Sequence, residues 1–259
     1  MGDPSPKRFV IIAAPRTGST HLVNLLGRQP DIFCHGEVFG KKRVLFRGRK
    51  NVDPGVSDEL MALRQTDREV FLERIFGMNE GRQHTGFKIF QGHDDSALER
   101  LVNDHAVRKI LLYRRNLLAA YASALAAKKT GVWGARAKST TGKQKVTFKA
   151  NQFIRFHNRR TGFYAAQIGQ ITDTGQQCYW LDYEDINNPM RLRCLLLFIG
   201  AQHDLRSRSS TVERRSPNEI CARFENAKEV ETFLSRNRLM HWSYEGEAWG
   251  ALGMDTDEE

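Results

Sequence analysis

Residues 8–39, RFVIIAAPRTGSTHLVNLLGRQPDIFCHGEVF, decide how the rest of the chain is read. Residues 9–14 are an unbroken apolar run, the mark of a short buried strand. The turn Pro15-Arg16-Thr17-Gly18-Ser19-Thr20 then supplies a cation, three hydroxyls and a glycine within six residues. Residues 21–29 read as a helix, with Leu22, Leu25 and Leu26 on one face and Pro30 as its stop. Strand, glycine-bearing turn and helix together make an anion cradle. The first helical N–H groups have no intrahelical partner, and the helix dipole is positive at that end, so a phosphate or sulfate is stabilised there.

The chain has 259 residues, which suits one α/β domain, and no linker divides it; residues 1–259 read as a single domain with flexible tails at 1–7 and 251–259. A hydrophobic fraction of 40% with 10% aromatic residues is enough for a core. The net charge of +10 calls for an anionic partner: a nucleotide, an acidic glycan, a membrane surface or a nucleic acid. Charge does not choose among them. Cys34, Cys178, Cys194 and Cys221 form no C-x-x-C pair and read as reduced thiols of a cytoplasmic protein. No apolar run approaches the roughly 20 residues that span a bilayer, and the one at 9–14 leads into Pro-Arg instead of a cleavage site.

The turn is not a Walker A loop, because no lysine follows Gly18 and Ala14 and Arg16 replace what that loop would carry. It resembles instead the 5′-phosphosulfate loop of the sulfotransferases, which take a sulfuryl group from 3′-phosphoadenosine 5′-phosphosulfate (PAPS). In that family Pro-(Lys/Arg)-(Ser/Thr)-Gly-(Ser/Thr)-Thr follows the first strand, and Pro15, Arg16, Thr17, Gly18, Ser19 and Thr20 match it throughout. The resemblance implies a single-domain, P-loop-like three-layer α/β fold with a mostly parallel central sheet. It also implies that Glu37, at the family's spacing after the loop, is the general base. A carboxylate of reference pKa near 4.3 is ionised at neutral pH and can take a hydroxyl proton. Residues 107–113, VRKILLY, read as a strand with Arg114, Arg115 and Asn116 at its carboxyl end and a helix over 117–129. Ligands of doubly wound sheets gather at such strand ends. The family's 3′-phosphate motif is an arginine there and a helical serine eight residues on, matched by Arg115 and Ser123. Seven helical steps from Asn116 to Ser123 rise about 10 Å over nearly whole turns, so these two lie on one face, along which a long arginine side chain can fold to meet Ser123. Where a P-loop NTPase often places an aspartate for Mg²⁺, two arginines stand here, so no metal is expected.

The remaining stretches are less specific. Residues 57–76 read as helical, with Ser57 as a cap and Thr66-x-x-Glu69 as a capping box that restarts the helix; Val70, Phe71 and Ile75 supply the inner face. Residues 85–90, TGFKIF, read as a strand, in which Lys88 is either an edge lysine facing water or a site cation. The likeness to bacterial carbohydrate sulfotransferases favours the site. His93 reads as structural. The basic runs 41–50 and 128–149 read as solvated loops or acceptor-binding rims, with Trp133 able to stack on a sugar. Residues 147–172, 190–199 and 226–239 read as helices, and 177–181 as a strand. Tyr183-Glu184-Asp185 resembles a structural segment of the family. The family's late Arg-Lys-Gly segment has no match; Arg206, Arg208, Arg214 or Arg215 would substitute for it.

The expected activity is therefore transfer of a sulfuryl group from PAPS to a hydroxyl, with Glu37, Arg16 and Lys88 at the reacting centre. The loop residues, Arg115 and Ser123 would hold the donor. Similarity to the trehalose, nodulation and lipopolysaccharide sulfotransferases points to a sugar or glycolipid acceptor, with protein tyrosine or a small alcohol behind it. Homo-oligomerisation stays open. The alternatives are a P-loop phosphotransferase that needs Mg²⁺ and a triphosphate, a basic nucleic-acid-binding protein, and a PAPS-binding module without catalysis.

Overall fold

The structure, a computed structural model, describes residues 7–40, 44, 54–133, 144–201 and 219–245. The expectations placed on most of the basic run 41–50, on 134–143, on the late arginines and on the two tails lie outside the described residues. The chain forms two compact units, residues 1–113 with 163–211 and residues 114–162 with 212–259.

The first unit is built on a five-stranded sheet in the order β2-β3-β1-β4-β5, with every pairing parallel. Its strands are β1 (Lys7–Ala13), β2 (Ile32–Glu37), β3 (His84–Phe90), β4 (Val107–Tyr113) and β5 (Cys178–Asp182). The middle strand β1 is apolar and buried from Phe9 to Ala13, where both faces are covered. Val10 and Ile12 enter a core built with Phe39, Phe71, Ile75, Phe76, Leu98 and Leu101. Phe9, Ile11 and Ala13, one residue out of phase, enter another with Leu22, Leu26, Leu195 and Ile199. The first core belongs to helices α2 (Pro54–Thr66), α3 (Arg68–Gly77) and α4 (Asp95–Asn103), the second to α1 (Ser19–Leu26) and, later in the chain, α7 (Pro189–Ile199). The three-layer α/β arrangement is thus present within this unit. The chain runs outward from β1 to β2, returns to β3 and crosses β1 to reach β4. The turn after β1 therefore lies at the carboxyl edge where the winding reverses, the place such sheets use for ligands.

Several local expectations are corrected. Ser57 lies within α2 and does not cap it, and α1 ends at Leu26 with Gly27 as its C-cap, before Pro30. Lys88 is not an edge lysine: β3 lies between β2 and β1, and Lys88 is 3% exposed. Thr66 does not open α3. Asp67 caps it by accepting from the Val70 N–H at 3.0 Å, while the Thr66 hydroxyl bonds back to Ala62 O. Val70 faces outward, leaving Phe71, Leu72, Ile75 and Phe76 as the buried face.

The second unit holds α5 (Leu117–Thr130), the first half of α6 (Ala150–Asp173) and α8 (Ala227–Arg236). Tyr121, Phe148, Phe153, Phe224 and Trp242 make its aromatic core. Arg114 forks onto Glu245, with Nε to Oε1 at 2.6 Å and Nη2 to Oε2 at 2.5 Å, both residues buried. Among the described residues no helix is long and apolar enough to cross a membrane.

Candidate active site

The Pro15–Thr20 turn leaves β1 with two residues in the left-handed region, Arg16 at φ 74° and Gly18 at φ 79°. Gly18 is required twice over. Its backbone conformation suits a residue without Cβ, and a Cβ there would lie 2.7 Å from Ile186 and 2.8 Å from Tyr183. Both belong to the 3-10 turn Tyr183–Asn187, so the segment expected to be structural forms the floor under the loop. The Thr17 hydroxyl is 1% exposed and donates to Ala14 O at 2.9 Å, which ties the loop to its strand. Tyr164 on α6 does the rest. Its phenol accepts from the Ala14 N–H at 3.0 Å and donates to Leu112 O at 2.7 Å, so the first backbone donor to leave the sheet is satisfied. Gly18 is also the N-cap of α1, whose first turn therefore opens at Ser19 and Thr20.

Glu37 reaches this cradle through a fault in the sheet. Ile32, Phe33 and Cys34 pair with His84, Thr85 and Gly86, but Glu37 pairs with Lys88, one residue short of regular register. The extra residue between Cys34 and Glu37 is a bulge, and it sets the carboxylate beside the lysine. Lys88 Nζ lies 3.1 Å from Glu37 Oε1, donates to Thr20 Oγ1 at 2.8 Å and sits over the Phe90 ring at 4.9 Å. Burial pushes the Lys88 pKa below the ordinary lysine value, and the neighbouring Glu37 carboxylate pulls part of the way back. On the other side of Glu37, His93 Nε2 is 3.8 Å from Oε2. Its Nδ1 accepts from the Phe90 N–H at 3.3 Å, which leaves the ring proton on Nε2, facing the carboxylate. Sequence reasoning put His93 among structural residues; only the turn after β3 brings it to Glu37.

The structure thus brings Arg16 to Thr20, Glu37 and Lys88 together within the sheet unit. Arg115 and Ser123 belong to the other unit. There the three residues after β4 divide their work. Arg114 is held by Glu245, and Asn116 caps α5 by accepting from the Ala119 N–H at 2.9 Å while its amide donates to Trp242 O and Tyr244 O. Arg115, between them, is exposed, and Ser123 is half-buried on α5. Among the described residues no cluster of His, Cys, Asp and Glu is arranged to hold a metal ion.

No family model matches the chain. Nodulation protein H of Rhizobium tropici is 25% identical over 237 residues, covering 88% of this chain and 89% of that protein. The similarity to that protein runs over nearly the whole length of both chains. Among solved structures, a sulfotransferase from Alicyclobacillus acidocaldarius matches with a TM-score of 0.49 at 18% identity, covering 96% of this chain and 100% of its own. The sulfotransferase domain from the curacin biosynthetic pathway gives 0.44 at 15% identity, with 82% and 80% covered.

Proposed function

We propose that this chain transfers a sulfuryl group from PAPS to a hydroxyl of a carbohydrate or glycolipid. The observation that carries the reading is the row Thr20–Lys88–Glu37, which joins an anion cradle at a helix N-terminus to a carboxylate within one hydrogen-bonded line. The donor set fits a phosphosulfate: backbone N–H groups at the start of α1, the hydroxyls of Ser19 and Thr20, and two cations, Arg16 and Lys88.

In this mechanism Glu37 takes the proton of the acceptor hydroxyl as its oxygen bonds to sulfur. The bond between sulfur and the bridging phosphate oxygen breaks, leaving a sulfate ester and 3′-phosphoadenosine 5′-phosphate (PAP). Charge develops on the equatorial and leaving oxygens, where Arg16 and Lys88 stabilise it. Arg16 remains protonated throughout and serves as an electrostatic group, not an acid. Lys88 has a second task, since its ion pair holds the Glu37 carboxylate in place. Arg115 and Ser123 are assigned to the 3′-phosphate through their match to the family motif. The commitment of Arg114 to Glu245 supports choosing Arg115 over its neighbour.

The test uses labelled PAPS and a glycan panel, with PAP affinity measured alongside. Glu37→Gln is expected to keep PAP affinity and lose transfer by roughly 10² to 10⁴-fold. Arg115→Ala is expected to abolish the preference for PAP over AMP, which lacks the 3′-phosphate. A parent protein that binds ATP·Mg in preference to PAP, or transfers no label to any glycan, would overturn the assignment.

A further inference from the structure

A cavity of about 350 Å³, lined by Phe39, Arg64, Gln65, Arg68, His93 and Asp94, shares no residue with the donor cradle and is linked to Glu37 through His93. We propose that it receives the non-reacting part of the acceptor, a single sugar unit bearing a carboxylate or phosphate, and so sets acceptor specificity. This rests on the sulfotransferase reading and adds to it the place and charge of the second substrate.

Position is the first argument. Thr20 Oγ1 to Lys88 Nζ is 2.8 Å, Lys88 Nζ to Glu37 Oε1 is 3.1 Å, and Glu37 Oε2 to His93 Nε2 is 3.8 Å. His93 is itself part of the cavity wall. The row therefore has the donor cradle at one end, the cavity at the other and the proposed base between them. In-line transfer needs the acceptor hydroxyl within reach of both the base and the sulfur, so the rest of the acceptor must lie in space next to the base, with the reacting atoms held close. The volume is at the low end for ligand sites, which suits one ring and not a stretch of polymer.

Charge and donor chemistry are the second argument. The wall carries two guanidiniums against one carboxylate, a surplus of one positive charge with His93 neutral. Arg68 Nη2 meets Asp94 Oδ2 at 3.1 Å, and Arg68 Nε is buried without a hydrogen-bond partner among the described residues. Arg64 Nη1 donates to the carbonyls of Val38 at 2.9 Å and Gly40 at 3.1 Å, contacts that orient its fork without neutralising it. Guanidinium forks match carboxylate and phosphate oxygens, while Gln65, Asp94 and His93 offer the mixed donors and acceptors that sugar hydroxyls use.

The experiment titrates the full chain, with and without PAP, with methyl β-glucoside, methyl β-glucuronide and methyl β-glucoside 6-phosphate. Binding is read by calorimetry. Either or both acidic glycosides should bind roughly tenfold or more tightly than the neutral one, and the two acids together show which anion the site prefers. Arg68→Gln removes the surplus charge and should erase that ratio; Asp94→Asn, which can still cap α4, doubles the surplus and should widen it. Both variants should bind PAP as the parent does. Equal binding of neutral and acidic glycosides, no binding of any, or movement of the ratio in the same direction by both variants would overturn the proposal. Failure of the parent to bind PAP would instead sink the donor reading, while the titrations without PAP still judge the cavity.

Discussion

Arg16 carries two roles that point in opposite directions. Its φ of 74° is a conformation that costs a residue with a Cβ about 1–2 kcal/mol, yet that conformation belongs to the turn which forms the cradle. Separating the charge from the backbone is therefore possible. Arg16→Ala and Arg16→Gly should both reduce turnover by on the order of 10² to 10³, as loss of an oxyanion donor does elsewhere. The glycine variant should be the more stable of the two by about 1 kcal/mol, because glycine adopts this φ freely. Urea melts and single-substrate kinetics on the pair check both statements. Near-parental turnover in both variants would remove Arg16 from the mechanism. At the same scale the residues of the loop were legible, because Pro15 to Thr20 act through their own backbone and hydroxyls. The partner of Glu37 was not: Lys88 is distant from it in sequence and meets it across a strand pair.

Among the elements, β4 has the bounds its sequence suggested, and β3 and α5 each gain one residue. These segments announce themselves by continuous apolar runs or by helical periodicity. The strand β2 did not. IFCHGE contains a histidine, a glycine and a glutamate, and its extended form comes from pairing with β3. Its bulge is equally invisible locally, since register is a property of two strands. The start of α3 offers a direct check on how local signals compete. Asp67 and Thr66 are adjacent and both are cap-forming residues, but only Asp67 accepts from a first-turn N–H. Asp67→Ala should destabilise the protein by about 1 kcal/mol, and Thr66→Ala by much less. Equal losses in thermal melts would restore the capping box at Thr66.

For the molecule as a whole, the strand order is what turns separate segments into a site. It places β1 and β3 side by side, so that the loop after one and Lys88 within the other share a face. The same burial leaves a signature in the pH dependence of stability. Lys109 on β4 is fully buried, bonded to Asp104 O and Gln176 Oε1, and burial lowers its pKa from 10.5 to about 8. The folded protein thus releases this proton near pH 8, while the unfolded chain holds it to higher pH. Since the unfolded state binds more protons in that window, stability should rise with pH there, by up to about 1.4 kcal/mol per unit. Cys178, whose thiol burial pushes up to about 12, opposes this above pH 9, so the window to measure is pH 8 to 9. In urea melts Lys109→Met should lose the rise. A variant with the parental slope would show that Lys109 does not titrate there.

The sequence by itself determined the strand–turn–helix at residues 9–26, the charged and hydroxylic content of its turn, and most of the helices and strands. Each of these depends on neighbours within a few positions along the chain. The tertiary structure alone decided that Lys88 is interior, that a bulge turns Glu37 towards it, that Tyr164 anchors the loop and that His93 closes the row. Those outcomes depend on which strands pair and in what register, and such pairing is settled by burial over the whole sheet, which no local pattern encodes.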